Sequence, residues 1–240
     1  MRKIIPLLTW ITIFSIAMGF LESAVVIYLR EIMYPAGFKF PLRPVPGNLA
    51  LTEVLRELST ILMLVGVAML AGRKFSERFA WFIYAFAIWD IFYYVFLKIL
   101  INWPESLLTW DILFMIPTTW TGPVISPVIL SFTMIAFALL ILNFSSNGYK
   151  TQINRMEWGL LLTGCLILFI AFIWDYSLFI LKNLSFKDLW ILQDKQILYR
   201  TALMYIPDKF NWALFTFGEI ILIITISFYS RRLIREYRIR

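Results

Sequence analysis

Six stretches of this chain are long and apolar enough to cross a lipid bilayer, near residues 4–28, 51–71, 79–101, 123–142, 157–181 and 211–229. A crossing helix takes about 20 residues of low charge. Hydrocarbon offers backbone N–H and C=O groups no partner, so only helices or closed barrels cross it. Nothing here alternates over ten-residue blocks as barrel strands do. The pattern therefore predicts an all-α fold, with residues 1–240 as a single transmembrane domain built as a bundle of six transmembrane helices. Hydrophobic residues make up 61% of the 240 positions, against about 45–50% in soluble domains. The first stretch follows Arg2 and Lys3 directly and lacks a small-residue cleavage site, so it reads as a retained helix rather than a signal peptide.

The reactive inventory narrows the chemistry. There is no His, which removes His-ligated metal and imidazole-based triads, and Cys165 stands alone, which removes an internal disulfide. No dinucleotide, phosphate-loop or Asp-rich isoprenoid-transferase signature is present. No cofactor or metal is predicted, and no catalytic residue is assigned. The net charge of +7 lies mostly between or beyond the apolar runs, which points to topology and lipid rather than nucleic acid.

The connecting segments carry three expectations. Pro35, Pro41, Pro44 and Pro46 forbid a regular helix over 30–50. Leu107 to Ile116 lies between Pro104 and Pro117 and is too short to span, which predicts a short re-entrant or interfacial helix. Ser185 and Asp188, followed by Phe186, Leu189, Trp190 and Ile197 at helical spacing, predict an outer amphipathic helix ending before Pro207.

Charge inside the apolar runs is expensive and marks candidate sites. Glu22 lies in the first run, Glu53, Arg56 and Glu57 in the second, Asp90 in the third, Asp175 in the fifth and Glu219 in the sixth, with Asp111 in the short segment. Tyr93 and Tyr94 follow Asp90 at i+3 and i+4, so their hydroxyls can face its carboxyl. Arg56 between two acids reads as a compensated cluster that Glu22 and Arg30 can join. Ile-Trp-Asp recurs at 88–90 and 173–175, a hint of related helical hairpins. These residues together predict an acidic, aromatic-lined vestibule with Glu22, Asp90 and Asp175 converging on it.

The stretch Trp103-Pro104-Glu105-Ser106 through Trp110-Asp111, then Trp120-Thr121-Gly122-Pro123, with Trp89-Asp90 before Tyr93-Tyr94, resembles a segment of uncharacterised prokaryotic polytopic membrane proteins. The resemblance covers about half the chain and implies no activity.

Two readings compete. In one, the vestibule binds or transports a cation, proton or small polar solute. In the other, the chain is a membrane-embedded enzyme or accessory subunit acting on a lipid-like molecule, with a membrane-complex partner. Membrane lipids are the expected surroundings, with anionic lipid at the Arg-rich tail from Arg231 to Arg240. Lys and Arg number twelve on the side of the termini and nine on the other. By the positive-inside rule, this predicts a multi-pass protein of the cell (inner) membrane with both termini cytoplasmic and the vestibule outside. Alkaline phosphatase fused after Arg240 should be inactive in cells and a fused fluorescent protein bright. An active phosphatase would reverse the orientation.

Overall fold

The computed structural model describes residues 4–34, 37–44, 46–184 and 195–238. Its long helices are α1 (Ile5–Met33), α2 (Gly47–Ala71), α3 (Phe75–Ile101), α4 (Ile125–Ser146) and α5 (Arg155–Asn183). A short α6 (Lys195–Leu203) precedes the long α7 (Trp212–Arg238). Six of these are apolar and long enough to cross a membrane. They run past the predicted boundaries because helical hydrogen bonding continues where the sequence turns polar, as at Arg30 in α1 and Arg231 to Arg235 in α7.

Local chemistry sets several ends. Asn154 Oδ1 accepts the Glu157 N–H at 2.8 Å, and Glu157 Oε2 accepts the Asn154 N–H at 2.8 Å, a reciprocal cap that starts α5. Glu77 Oε2 accepts the Arg73 N–H at 2.8 Å and helps to start α3. Helix α3 is the hub, packed against α1, α2 and α4, while α5 and α7 form a second pair joined to it through α4.

The two ends of the bundle are tied differently. At the end holding the termini, Ser76 and Thr151 hydroxyls meet at 2.8 Å and Tyr229 donates to the Thr151 carbonyl at 2.9 Å. Arg232 grips Glu157 with two contacts of 2.8 and 2.9 Å and donates to the Gln152 carbonyl. This takes Arg232 out of the predicted lipid-facing cluster, and Leu233 is buried with it. Arg231 and Arg235 are exposed.

At the other end the structure corrects the predicted short helix. Trp110–Phe114 (β1) and Trp120–Pro123 (β2) form an antiparallel hairpin, pairing Asp111 with Gly122 and Ile112 with Thr121, with an irregularity between Ile112 and Phe114. Trp, Ile and Phe fit a pleated, half-buried surface. A helix of under three turns between prolines would leave many of its terminal N–H and C=O groups unpaired. The hairpin pairs them, and two further bonds, Val124 N–H to Thr109 O at 3.0 Å and Ile125 N–H to Leu107 O at 2.8 Å, join it to α4. Of the predicted outer helix, 195–203 is helical and ends before Pro207. Ser185, Phe186, Asp188, Leu189 and Trp190 lie outside the described residues.

Close helix approach depends on small residues. A Cβ at Gly19 would stand 3.0 Å from the Trp89 carbonyl and 3.1 Å from the Tyr93 nitrogen, both backbone atoms of α3. Overpacking of this kind costs about 1–3 kcal/mol. Gly19→Leu should therefore lower the thermal unfolding midpoint in detergent clearly, whereas Gly159→Leu, which has open space around it, should leave it nearly unchanged. Equal midpoints would contradict the α1–α3 contact.

Candidate functional site

Helix α2 presents Glu53, Arg56, Glu57 and Thr60 at positions i, i+3, i+4 and i+7, which lie on one face. That face meets α1. Arg56 Nη1 pairs with Glu22 Oε1, and Arg56 Nε lies 3.0 Å from Glu53 Oε2. The Thr60 hydroxyl is 3.4 Å from Glu22 Oε2. One guanidinium thus answers two carboxylates, across two helices. Glu57 points away from it and accepts the Met115 N–H of the hairpin at 2.9 Å. A backbone donor just past the end of β1 is satisfied by a carboxylate from α2.

Helix α1 supplies a second cation. Arg30 Nη2 lies 3.1 Å from Asp111 Oδ1 in β1. Its guanidinium carbon sits 3.8 Å from the Trp103 ring centre and 4.5 Å from that of Phe38, two cation–π contacts from rings that stand perpendicular to each other. The Tyr94 hydroxyl is 3.4 Å from Asp111 Oδ2. Asp90 accepts from the Ser131 hydroxyl of α4 at 2.9 Å. The sequence reading aimed Tyr94 at Asp90. The structure gives its hydroxyl to Asp111, because β1 folds over the end of α3 and Ser131 takes the Asp90 side.

These groups surround one cavity of about 140 Å³. Eight of the ten predicted residues line it: Glu22, Glu53, Arg56, Glu57, Asp90, Tyr93, Tyr94 and Asp111. The other two lie elsewhere. Asp175 accepts from the Tyr205 hydroxyl at 2.8 Å and from the Asp208 and Lys209 N–H groups at 3.2 Å each, and so anchors the segment entering α7. Glu219 accepts from the Thr133 hydroxyl at 2.9 Å, between α7 and α4. The expected convergence therefore holds for Glu22 and Asp90 and not for Asp175. Tyr205 also meets the Thr121 hydroxyl at 2.9 Å, and burial pushes its phenol up, so it stays a protonated donor.

Sequence reasoning did not assign Trp89, Ser131 or the Met115 N–H. Arg30 was legible as a nearby cation eight residues after Glu22. Ser131 carried no signal, because its role depends on which turn of α4 faces Asp90.

The cavity carries five carboxylates and two guanidinium groups. Arg56 and Arg30 are both committed to ion pairs, which leaves Glu57 and Asp90 without a cationic partner among the described residues. No three acidic side chains among the described residues stand close enough to cage a metal ion. The negative charge is spread around the walls.

No protein-family profile, curated protein or solved structure matches the chain.

Asp111 lies in the hairpin, outside the six long helices. Burial pushes its carboxyl up to about 6, against the opposing pull of Arg30, the Ile112 N–H and the Tyr94 hydroxyl. An unfolded chain holds it near about 3.9. The folded state therefore binds the proton more tightly, and the stability owed to this group falls as pH rises through that window and is flat above it. A carbon-13 titration of Asp111 should show a midpoint near 6. Arg30→Gln removes the attraction and should move the midpoint higher. A midpoint at or below 4, or one indifferent to Arg30, would contradict the arrangement.

Proposed function

We propose that this multi-pass membrane protein binds a small cation in the cavity between α1, α2, α3 and the hairpin. The observation that carries the proposal is the imbalance of charge: five carboxylates face two guanidinium groups that are already paired. Uncompensated charge held away from water is costly, so a bound cation or proton stabilises it. Asp90 and Glu57 are the groups that meet the guest, since among the described residues each holds one neutral donor, the Ser131 hydroxyl or the Met115 N–H. Trp89 and Tyr93 add aromatic faces to the lining, and such faces favour cations over neutral solutes of the same size.

Arg56 and Arg30 have a positioning role in this reading. Each fixes acids from different elements, so the cavity keeps its shape when it is empty. The cavity is lined by the hairpin, and in this reading, with both termini inside by the positive-inside bias, the hairpin end faces out of the cytoplasm. Arg231 and Arg235, near the opposite end, are exposed, and in this reading they meet anionic headgroups. The competing reading, an enzyme or accessory subunit handling a lipid-like molecule, predicts no cation-dependent response of Asp90.

Radiolabelled methylammonium is a suitable probe, with the protein in phosphatidylcholine nanodiscs. The expected result is saturable one-to-one binding that weakens as pH falls, because protons compete for the same carboxylates. Asp90→Asn and Glu57→Gln should each weaken it at least tenfold, which is about 1.4 kcal/mol. Ser131→Ala should weaken it less. Binding that is unaltered in both well-folded acid variants would reject the cation reading in favour of the accessory-subunit one.

A further inference from the structure

Asp90 faces a second space. A cleft of about 460 Å³ runs between the α2–α3–α4 group and the α5–α7 pair, and Asp90 and Trp89 line both it and the polar cavity. The two spaces also share Leu113 and Phe114 of the hairpin. Nine of the 23 residues lining the cleft are Phe or Trp, and Asp90 is its only ionisable carboxylate. Among the described residues, no Lys or Arg lines it. Behind the wall, Glu219 is 5% exposed, hydrogen-bonds Thr133 of the cleft, and leaves Oε1 without a partner. The cleft is thus an apolar, aromatic space with carboxyl groups from two helices at its wall.

The geometry points to a lipophilic cation, an aromatic or alkyl-substituted onium ion, as the ligand: its charge at Asp90 and its apolar body in the cleft. This rests on the cation reading of the polar cavity and names the substrate class that reading takes. Three features select that class. Charge complementarity selects a cation over an anionic or zwitterionic lipid. Aromatic faces attract onium ions, which need no hydrogen-bond acceptor. The cleft is more than three times larger than the polar cavity and falls in the size range of sites for drug-sized ligands. Cys165 of α5 is exposed and lines the cleft, so its thiol reports on occupancy.

Tetraphenylphosphonium is the probe, in phosphatidylcholine nanodiscs, with methylammonium measured in parallel. The full chain should bind it saturably, and Asp90→Asn should weaken binding at least tenfold. Leu130→Trp, which places an indole in the cleft, should weaken tetraphenylphosphonium at least tenfold and leave methylammonium unchanged. In the unaltered chain, saturating tetraphenylphosphonium should slow alkylation of Cys165 by N-ethylmaleimide severalfold. Unchanged alkylation, or tetraphenylphosphonium binding untouched by Leu130→Trp while methylammonium still binds, would overturn this inference alone and leave the cleft to acyl chains of the bilayer. If methylammonium binding is absent or indifferent to Asp90→Asn, the underlying cation reading fails instead. Should Leu130→Trp lose both ligands through misfolding, the Cys165 measurement decides.

Discussion

Hydrocarbon supplies no counter-ion and no hydrogen-bond partner, so polar groups within the apolar layer depend on other protein groups, and among the described residues few buried ones, such as Glu219 Oε1, go without. The Arg56 pairing with Glu22 and Glu53 is the clearest case. It joins α1 to α2 and fixes three long side chains at once. A buried ion pair gains little net stability over an apolar pair of the same shape. Losing one partner is a different matter, because the survivor stays charged and unanswered. The triad therefore acts chiefly as a registration device, since α1 and α2 fit together only at the depth where Glu22 reaches Arg56.

The hairpin follows the same constraint. Irregular backbone at the end of a bundle is tolerated where its donors find acceptors. Here the Met115 N–H, just past the end of β1, goes to Glu57. Asp111, paired with Gly122 in the ladder, turns to Arg30. Two strands too short to be stable alone are held by two ionic side chains from α1 and α2 and by Tyr205 on Thr121. The cavity is the space these attachments leave open.

Helix contacts elsewhere use small residues. Gly164 and Gly218 face each other across α5 and α7, where an added Cβ would meet Leu222 and Leu168 at 2.7 Å. With lipid as apolar as the side chains, close backbone approach replaces the hydrophobic effect as the source of helix affinity. This pair stands apart from the α1–α3–α4 group along much of its length. The aromatic cleft lies between the two packed units.

The sequence by itself determined the six crossing helices, because bilayer thickness and backbone satisfaction leave no other structure for six apolar runs of this length. It also determined most of the acidic cavity. Glu53, Arg56 and Glu57 share a face by helical spacing alone, and a charge inside an apolar run has to find a partner. Tertiary structure decided what periodicity does not encode. Whether 107–116 becomes helix or strand depends on a donor from α1, Arg30, and an acceptor from α2, Glu57. Asp175 and Asp90 share the same Ile-Trp-Asp setting. One caps the segment entering α7 and the other lines the cavity, because α5 pairs with α7 while α3 sits at the hub. Spacing along a helix fixes which side chains share a face, and only packing of the helices fixes what that face meets.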